Sequence, residues 1–189
     1  MADFRMLIIR TGGLGDSLLL WPAVAAVRRR FPDARLELLG HPDRLRPLVV
    51  PGGADAALDI EGSGLHRLFD LSPEVPEEVR SFFGGFQVVV AFAAPGDFAL
   101  AENLSACGAG EVHAFLPFPS AGQAIHVADH AKQSLCGVNL AADGEDPLLP
   151  ARQDELAAGV ARLSELSLEG RPLVAMAPGS GSARKNFHP

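Results

Sequence analysis

The chain is short of cysteine, of positive charge and of long apolar runs, and each shortage removes a class of protein. Its two cysteines, Cys107 and Cys136, make neither a disulfide framework nor a zinc cluster, so two reduced thiols in a reducing compartment are expected. Sixteen Lys and Arg against 23 Asp and Glu leave a formal charge of -7. Most of such a surface repels an extended phosphate backbone, and no nucleic-acid partner is expected. Single phosphates are a different matter, because backbone amides hold them locally. The opening Met1-Ala2-Asp3-Phe4-Arg5-Met6-Leu7-Ile8-Ile9-Arg10 carries an acid, and its apolar run stops at Arg10. That is too short for a signal peptide, and no other run is long enough to span a bilayer. A soluble, cytoplasmic protein is expected.

What is present is an ordinary globular balance, 48% hydrophobic and 21% charged over 189 residues, enough for one well-buried domain and part of another. Arg5–Arg10 reads as a short buried strand, followed by the glycine turn Thr11-Gly12-Gly13-Leu14-Gly15-Asp16-Ser17. Leu20, Val24, Val27 and Phe31 then recur at helical spacing, with Pro22 forcing a kink or a restart. Arg28, Arg29 and Arg30 close that helix, where cations suit the negative end of its dipole.

Further strands are predicted over Arg35–Leu39, Ala56–Ile60 and Phe86–Ala91, with a short fifth over Glu111–Ala114. Helices are predicted over His41–Val50, Phe98–Cys107, His126–Cys136 and Gln153–Leu166, and over Pro73–Phe83 with Ser72 as its N-cap. Alternation of this kind implies an α/β fold with a Rossmann-like, doubly wound parallel sheet. Residues 1–142 make up that domain, the polar, proline-bearing stretch 143–150 is a linker, and 151–189 open a second domain with a strand over Pro172–Ala177. A strand of that kind without sheet neighbours is expected to pair with a second molecule, to join its own sheet's edge, or to be poorly ordered beyond Ala177.

In an open parallel sheet, ligands bind beyond the carboxyl ends of the strands. The turn Thr11, Gly12, Gly13 and Gly15 lies at such an end and lets backbone approach a ligand, with Asp16 at the mouth of the crevice. The alternative is a tight turn in which Asp16 only caps the helix. Nucleotide fingerprints fail: there is no P-loop lysine, and in Gly13-Leu14-Gly15-Asp16-Ser17-Leu18 a leucine stands where a dinucleotide fold needs its last glycine. A second turn, Pro178-Gly179-Ser180-Gly181-Ser182 with Lys185 beyond it, offers amides, hydroxyls and a cation, the groups of a phosphate site. The same residues also suit a solvated Gly/Ser loop.

His126 and His130 lie four apart on a helix but have no third ligand, so no metal is expected. Arg28–Arg30 with Arg44 and Arg46 would suit an anionic acceptor, or simply a solvated helix end. Ser17 has no histidine base near it in sequence, and a nucleophilic role for it has no support.

The stretch from Leu7 to Pro32, with its strand, Gly-Leu-Gly-Asp turn, Pro22 and closing Arg-Phe-Pro, resembles the opening of glycosyltransferase family nine, the ADP-heptose:lipopolysaccharide heptosyltransferases. Leu173–Pro189 is similar to that family's second signature, a strand leading to Pro-Gly-Ser-Gly and a lysine, although Phe187-His188-Pro189 stands where the family carries tryptophan before proline. His126-Val127-Ala128-Asp129-His130 is similar to the family's helix before the linker.

The resemblance implies the first, acceptor-side domain of a GT-B architecture, with only the first elements of the donor-binding domain. Asp16 matches the family's catalytic base, with Thr11, Gly12, Gly13 and Gly15 as the acceptor-side loop. Ser180, Gly181, Ser182 and Lys185 would bind the donor's phosphates. An ADP-heptose-like nucleotide sugar is implied as donor, with a lipopolysaccharide-core or other saccharide as acceptor. No cofactor is implied. Peripheral contact with the inner membrane is compatible with such an acceptor, as is a homodimer through the carboxyl-terminal end. A chain holding only part of the donor side is expected to be inactive alone. Against the enzyme stands a non-catalytic module that binds the acceptor or a sugar phosphate.

Overall fold

The computed structural model describes residues 4–70, 74–93 and 98–176. The chain divides into two compact units, Met1–Pro150 and Ala151–Pro189. In the first, five strands form one sheet in the order β3-β2-β1-β4-β5, and every adjacent pair is parallel. They are β1 (Arg5–Arg10), β2 (Arg35–Gly40), β3 (Ala56–Asp59), β4 (Val88–Phe92) and β5 (Glu111–Phe115). The α/β, Rossmann-like expectation therefore holds, including the parallel pairing of the first four predicted strands.

Both faces of the central strands are covered, which is why their sequences run apolar without alternation. Met6 and Ile8 of β1, with Val88, Val90 and Phe92 of β4, point into one core. Leu7 and Ile9, with Val89 and Ala91, point into the other, as the two-residue period of a strand requires. The first core is closed by α2 (Trp21–Arg30) and α6 (Val127–Gly137), the second by α4 (Glu77–Gly84) and α5 (Phe98–Ala106). At the amino end of the second face, Glu37 is buried and accepts from Arg5 Nη2 at 2.7 Å and from Arg35 Nε at 3.2 Å. Arg5 also lies over Phe86, 4.3 Å from its ring centre.

Pro22 restarts the first helix rather than bending it. A short α1 (Leu14–Leu18) ends, and α2 begins one residue before the proline, in the first turn, where its missing N–H costs nothing. His41–Val50 resolves into a single turn, α3 (Pro42–Leu45), and a 3-10 turn (Arg46–Leu48).

The helix predicted over Pro73–Phe83 needs correction. It starts at Glu77, with Pro76 at the N-cap; Ser72 and Pro73 lie outside the described residues. Val75 precedes a proline and is pushed out of the helical region, so a helix begun at Pro73 could not run through it. Glu77 and Glu78 then occupy the first turn, where the dipole favours acids.

The stretch 143–150 lies within the first unit and is bonded to its helices. Trp21 Nε1 donates to the Pro147 carbonyl at 2.6 Å, and Lys132 pairs with Asp146 at 2.5 Å. In the second unit α7 (Gln153–Glu165) forms with no buried residue. Residues 172–176 are exposed and form no strand, which corrects the strand predicted over Pro172–Ala177. An isolated apolar run cannot satisfy its backbone as a strand without a neighbour. Among the described residues no helix is long and apolar enough to cross a membrane.

Both cysteines are free thiols. Burial pushes the Cys107 thiol up, against an opposing pull from Arg80. Cys136 is also raised, first by burial and then by a hydrogen bond and negative charge from Asp143. Raising a thiol's pKa lowers its thiolate fraction at neutral pH. Iodoacetamide should therefore modify both cysteines of the native protein more slowly than a free cysteine, with the rate climbing as pH rises. Alkylation at the free-cysteine rate at neutral pH would contradict this.

Gly40 closes β2 where no side chain fits. A Cβ there would run into the Arg10 carbonyl and lie 2.7 Å from Leu45 Cδ1. Gly40→Ala should cost about 1–3 kcal/mol, the usual range for overpacking. Urea denaturation should show the midpoint falling with an unchanged slope; an unchanged midpoint would show that β2 has room to move.

Candidate functional site

The sheet order reverses between β1 and β4. β2 and β3 lie on one side of β1 and β4 and β5 on the other, so the crevice of the fold opens beyond the carboxyl ends of these two strands. Arg10 ends β1 and Thr11–Gly13 lead into α1, so the glycine turn and Asp16 stand at that edge, as expected. Gly12 has φ +149°, and a Cβ on it would sit 2.9 Å from Asp16 Oδ2 and 3.0 Å from Asp16 Cβ. Glycine is needed both for that backbone angle and to let the Asp16 side chain fold back over the turn.

Asp16 is half-buried. Its Oδ2 accepts the Gly13 N–H at 2.9 Å, while Oδ1 has no hydrogen-bond partner among the described residues. One carboxylate oxygen thus does the work of a helix cap and the other is uncommitted among the described residues. The Gly12 carbonyl accepts from Arg44 Nη1 at 2.6 Å. Ser17 is buried, and its hydroxyl donates to the Gly13 carbonyl at 3.1 Å, so it supports the turn.

Sequence reasoning passed over Arg10. It is 4% exposed, one of the few charged residues in the core. Nη1 donates to the Pro117 carbonyl at 2.9 Å, and the guanidinium lies 5.0 Å from the Phe118 ring centre and 5.9 Å from that of Phe92. Its Nε is buried and has no hydrogen-bond partner, and no carboxylate among the described residues comes within ion-pair distance of it. Burial pulls the Arg10 guanidinium below its ordinary value, and the charge of Asp16 opposes that pull. A guanidinium stays protonated even so. The signal in the sequence was a charged residue ending the apolar run Met6–Ile9, directly before a glycine turn.

The other candidates are used by the scaffold. Arg28 donates to Gly53, Pro32 and Ala34 carbonyls and pairs with Asp55 at 2.6 Å. Arg29 reaches the Ala142 carbonyl at 3.3 Å, and Arg30 lies over Phe31. Arg44, also proposed for an anionic acceptor, is bonded to the glycine turn. His126 caps α6, its Nδ1 accepting the Ala128 N–H at 3.3 Å, and His130 Nε2 bonds the Leu116 carbonyl at 3.1 Å. Ser180, Gly181, Ser182 and Lys185 lie outside the described residues.

The strand order and the crevice define a Rossmann-like α/β domain with its candidate site at the switch point. No known protein family matches the chain by sequence, and no curated protein matches it. The crystal structure of a glycosyl transferase family 9 protein from Veillonella parvula DSM 2008 matches all of this chain with a TM-score of 0.70 and 14% identity. The chain spans 58% of the length of that protein. At that identity the likeness is one of fold.

Proposed function

We propose that this chain is the acceptor-side part of a glycosyltransferase of the family-nine kind. It would transfer a heptose or related sugar from a nucleotide-diphosphate donor to a lipopolysaccharide-core acceptor. The carrying observation is Asp16, held at the carboxyl edge of the central strand with one carboxylate oxygen unbonded. The fold shared with the Veillonella parvula glycosyl transferase supports the same reading.

In the proposed step Asp16 takes the proton of an acceptor hydroxyl as that oxygen bonds to the donor's anomeric carbon. The bond from that carbon to the diphosphate breaks, and the nucleoside diphosphate leaves. A single displacement of this kind inverts the anomeric centre. Ser180, Gly181, Ser182 and Lys185 are proposed to steady the charge on the departing diphosphate. No metal is proposed in this GT-B scheme. The proposed setting is the cytoplasm, at the inner membrane when the acceptor is a membrane saccharide.

A second reading, a non-catalytic module for an acceptor or a sugar phosphate, draws on the same carboxylate: the Gly13 N–H bond to Asp16 is what a plain helix cap would make. The two part on turnover. Nucleotide sugars are offered together with core saccharides to a full-length glycosyltransferase that carries this chain as its acceptor-side part, and release of nucleoside diphosphate is followed. Release that depends on both substrates supports the transferase. Acceptor binding without release under any donor supports the module.

A further inference from the structure

Phe118 stands three residues beyond the end of β5, on the same carboxyl edge as Asp16. A phenyl ring in a surface loop ordinarily folds against apolar neighbours, yet this one is 47% exposed. It does not hang free. The buried Arg10 guanidinium lies against it, 5.0 Å from the ring centre, and the same guanidinium grips the preceding carbonyl, of Pro117, at 2.9 Å. Pro117 and Pro119 flank the ring and restrict the backbone on both sides of it.

Keeping a cation buried with Nε unpaired is costly, and the hydrogen bond to Pro117 offsets only part of that cost. What the arrangement yields is a ring held by Arg10, with solvent-exposed surface, on the sheet edge that also carries the Asp16 turn. A preorganised aromatic surface binds without the entropic loss of ordering a mobile side chain.

We propose that Phe118 is an acceptor-positioning residue, its exposed ring surface receiving the C–H face of a pyranose while Arg10 locks the ring from behind. A saccharide suits the surroundings better than a nucleobase. Reading a base requires donors and acceptors at its edge, and the chain neighbours of the ring are Pro117 and Pro119. Pro119 has no N–H to offer, and the Pro117 carbonyl is already engaged by Arg10. A pyranose needs only an apolar platform for its C–H face, with its hydroxyls left in water or turned toward Asp16. The subsite rests on the reading of this crevice as an acceptor site, but its test does not depend on turnover.

The test is a proton–nitrogen NMR titration of the 189-residue chain with methyl α-mannopyranoside, with adenosine monophosphate as a parallel probe. The pyranoside should shift the Phe118 amide and the Arg10 Nε–H resonance. Phe118→Ala should weaken that binding about tenfold, the loss expected when one ring's partial burial is removed, and Phe118→Trp should retain it. Phe118→Leu keeps an apolar cover over Arg10 but removes the ring. It should lose binding as the alanine variant does, which separates stacking from damage to the fold.

No shift at the two reporters in the wild-type chain overturns the subsite. So does equal pyranoside affinity in Phe118→Leu, or a response to the nucleotide alone. If Asp16→Asn transfers sugar at full rate while the two reporters of the wild-type chain respond to the pyranoside, the catalytic reading fails and the subsite stands. If Asp16 is required for transfer and the reporters stay silent, the subsite alone fails.

Discussion

Asp16→Asn is expected to lower turnover of the glycosyltransferase by about 10²–10⁴, the range a general base contributes, while leaving donor affinity nearly unchanged. The amide is close in shape to the carboxylate, and its oxygen can still accept the Gly13 N–H that Asp16 Oδ2 accepts at 2.9 Å. The cap, the turn and α1 should therefore survive. What the substitution removes is the ability of the second oxygen to take a proton. If the carboxylate were only a cap, the same variant would turn over at nearly the wild-type rate and lose little stability. Steady-state rates with saturating donor and varied acceptor distinguish the cases. A fall in kcat and kcat/KM together marks an interaction made in the transition state, and near-wild-type kcat returns Asp16 to the scaffold.

The second large effect concerns the core. Phe83 is fully buried in the layer between the sheet and α4 and α5, with its ring edge-to-face against Phe82 at 4.9 Å and 83°. Phe83→Ala should destabilise the protein by about 3–5 kcal/mol, the usual cost of removing a buried phenyl ring and leaving its cavity. Against a typical total of about 5–15 kcal/mol, that leaves a marginal domain. Thermal unfolding should show Tm falling by roughly 6–20 °C, at the 2–4 °C per kcal/mol usual for this chain length. A fall of only a degree or two would mean that Phe83 is not the closing residue of that layer.

The parallel sheet was legible because its strands are short, apolar and separated by helical patterns. β1 falls over the predicted Arg5–Arg10, where Arg10 and the glycine turn punctuate the run. Boundaries were lost where two signals competed. Ser72-Pro73 and Pro76-Glu77 both look like a helix start, and the constraint that decides between them falls on Val75, the residue before the second proline. The strand over Pro172–Ala177 was read from its own composition, although a strand is a property of its partners.

The site divides in the same way. Asp16 and the glycines form one contiguous turn, so their meeting could be anticipated. Arg10 and Phe118 are brought together by the β1–β4–β5 pairing across more than a hundred residues of chain. Nothing local marks them as neighbours. Arg28 was misjudged for a related reason: its four partners come from the turn after α2 and from the stretch before β3, and only the folded chain shows the guanidinium already engaged.

The central place of β1 also governs how the protein leaves the ribosome. β1 is made before β2, which follows soon enough to pair with Met6–Ile9. Its other edge must wait for β4, because Met6 faces Val88. At about 5–20 residues per second that wait is on the order of ten seconds. Throughout it, one edge of a nascent apolar strand lacks its native cover. Translation speed over the segment between β2 and β4, and whatever holds the emerging chain meanwhile, should therefore decide the soluble yield of this protein more than the stability of the finished fold.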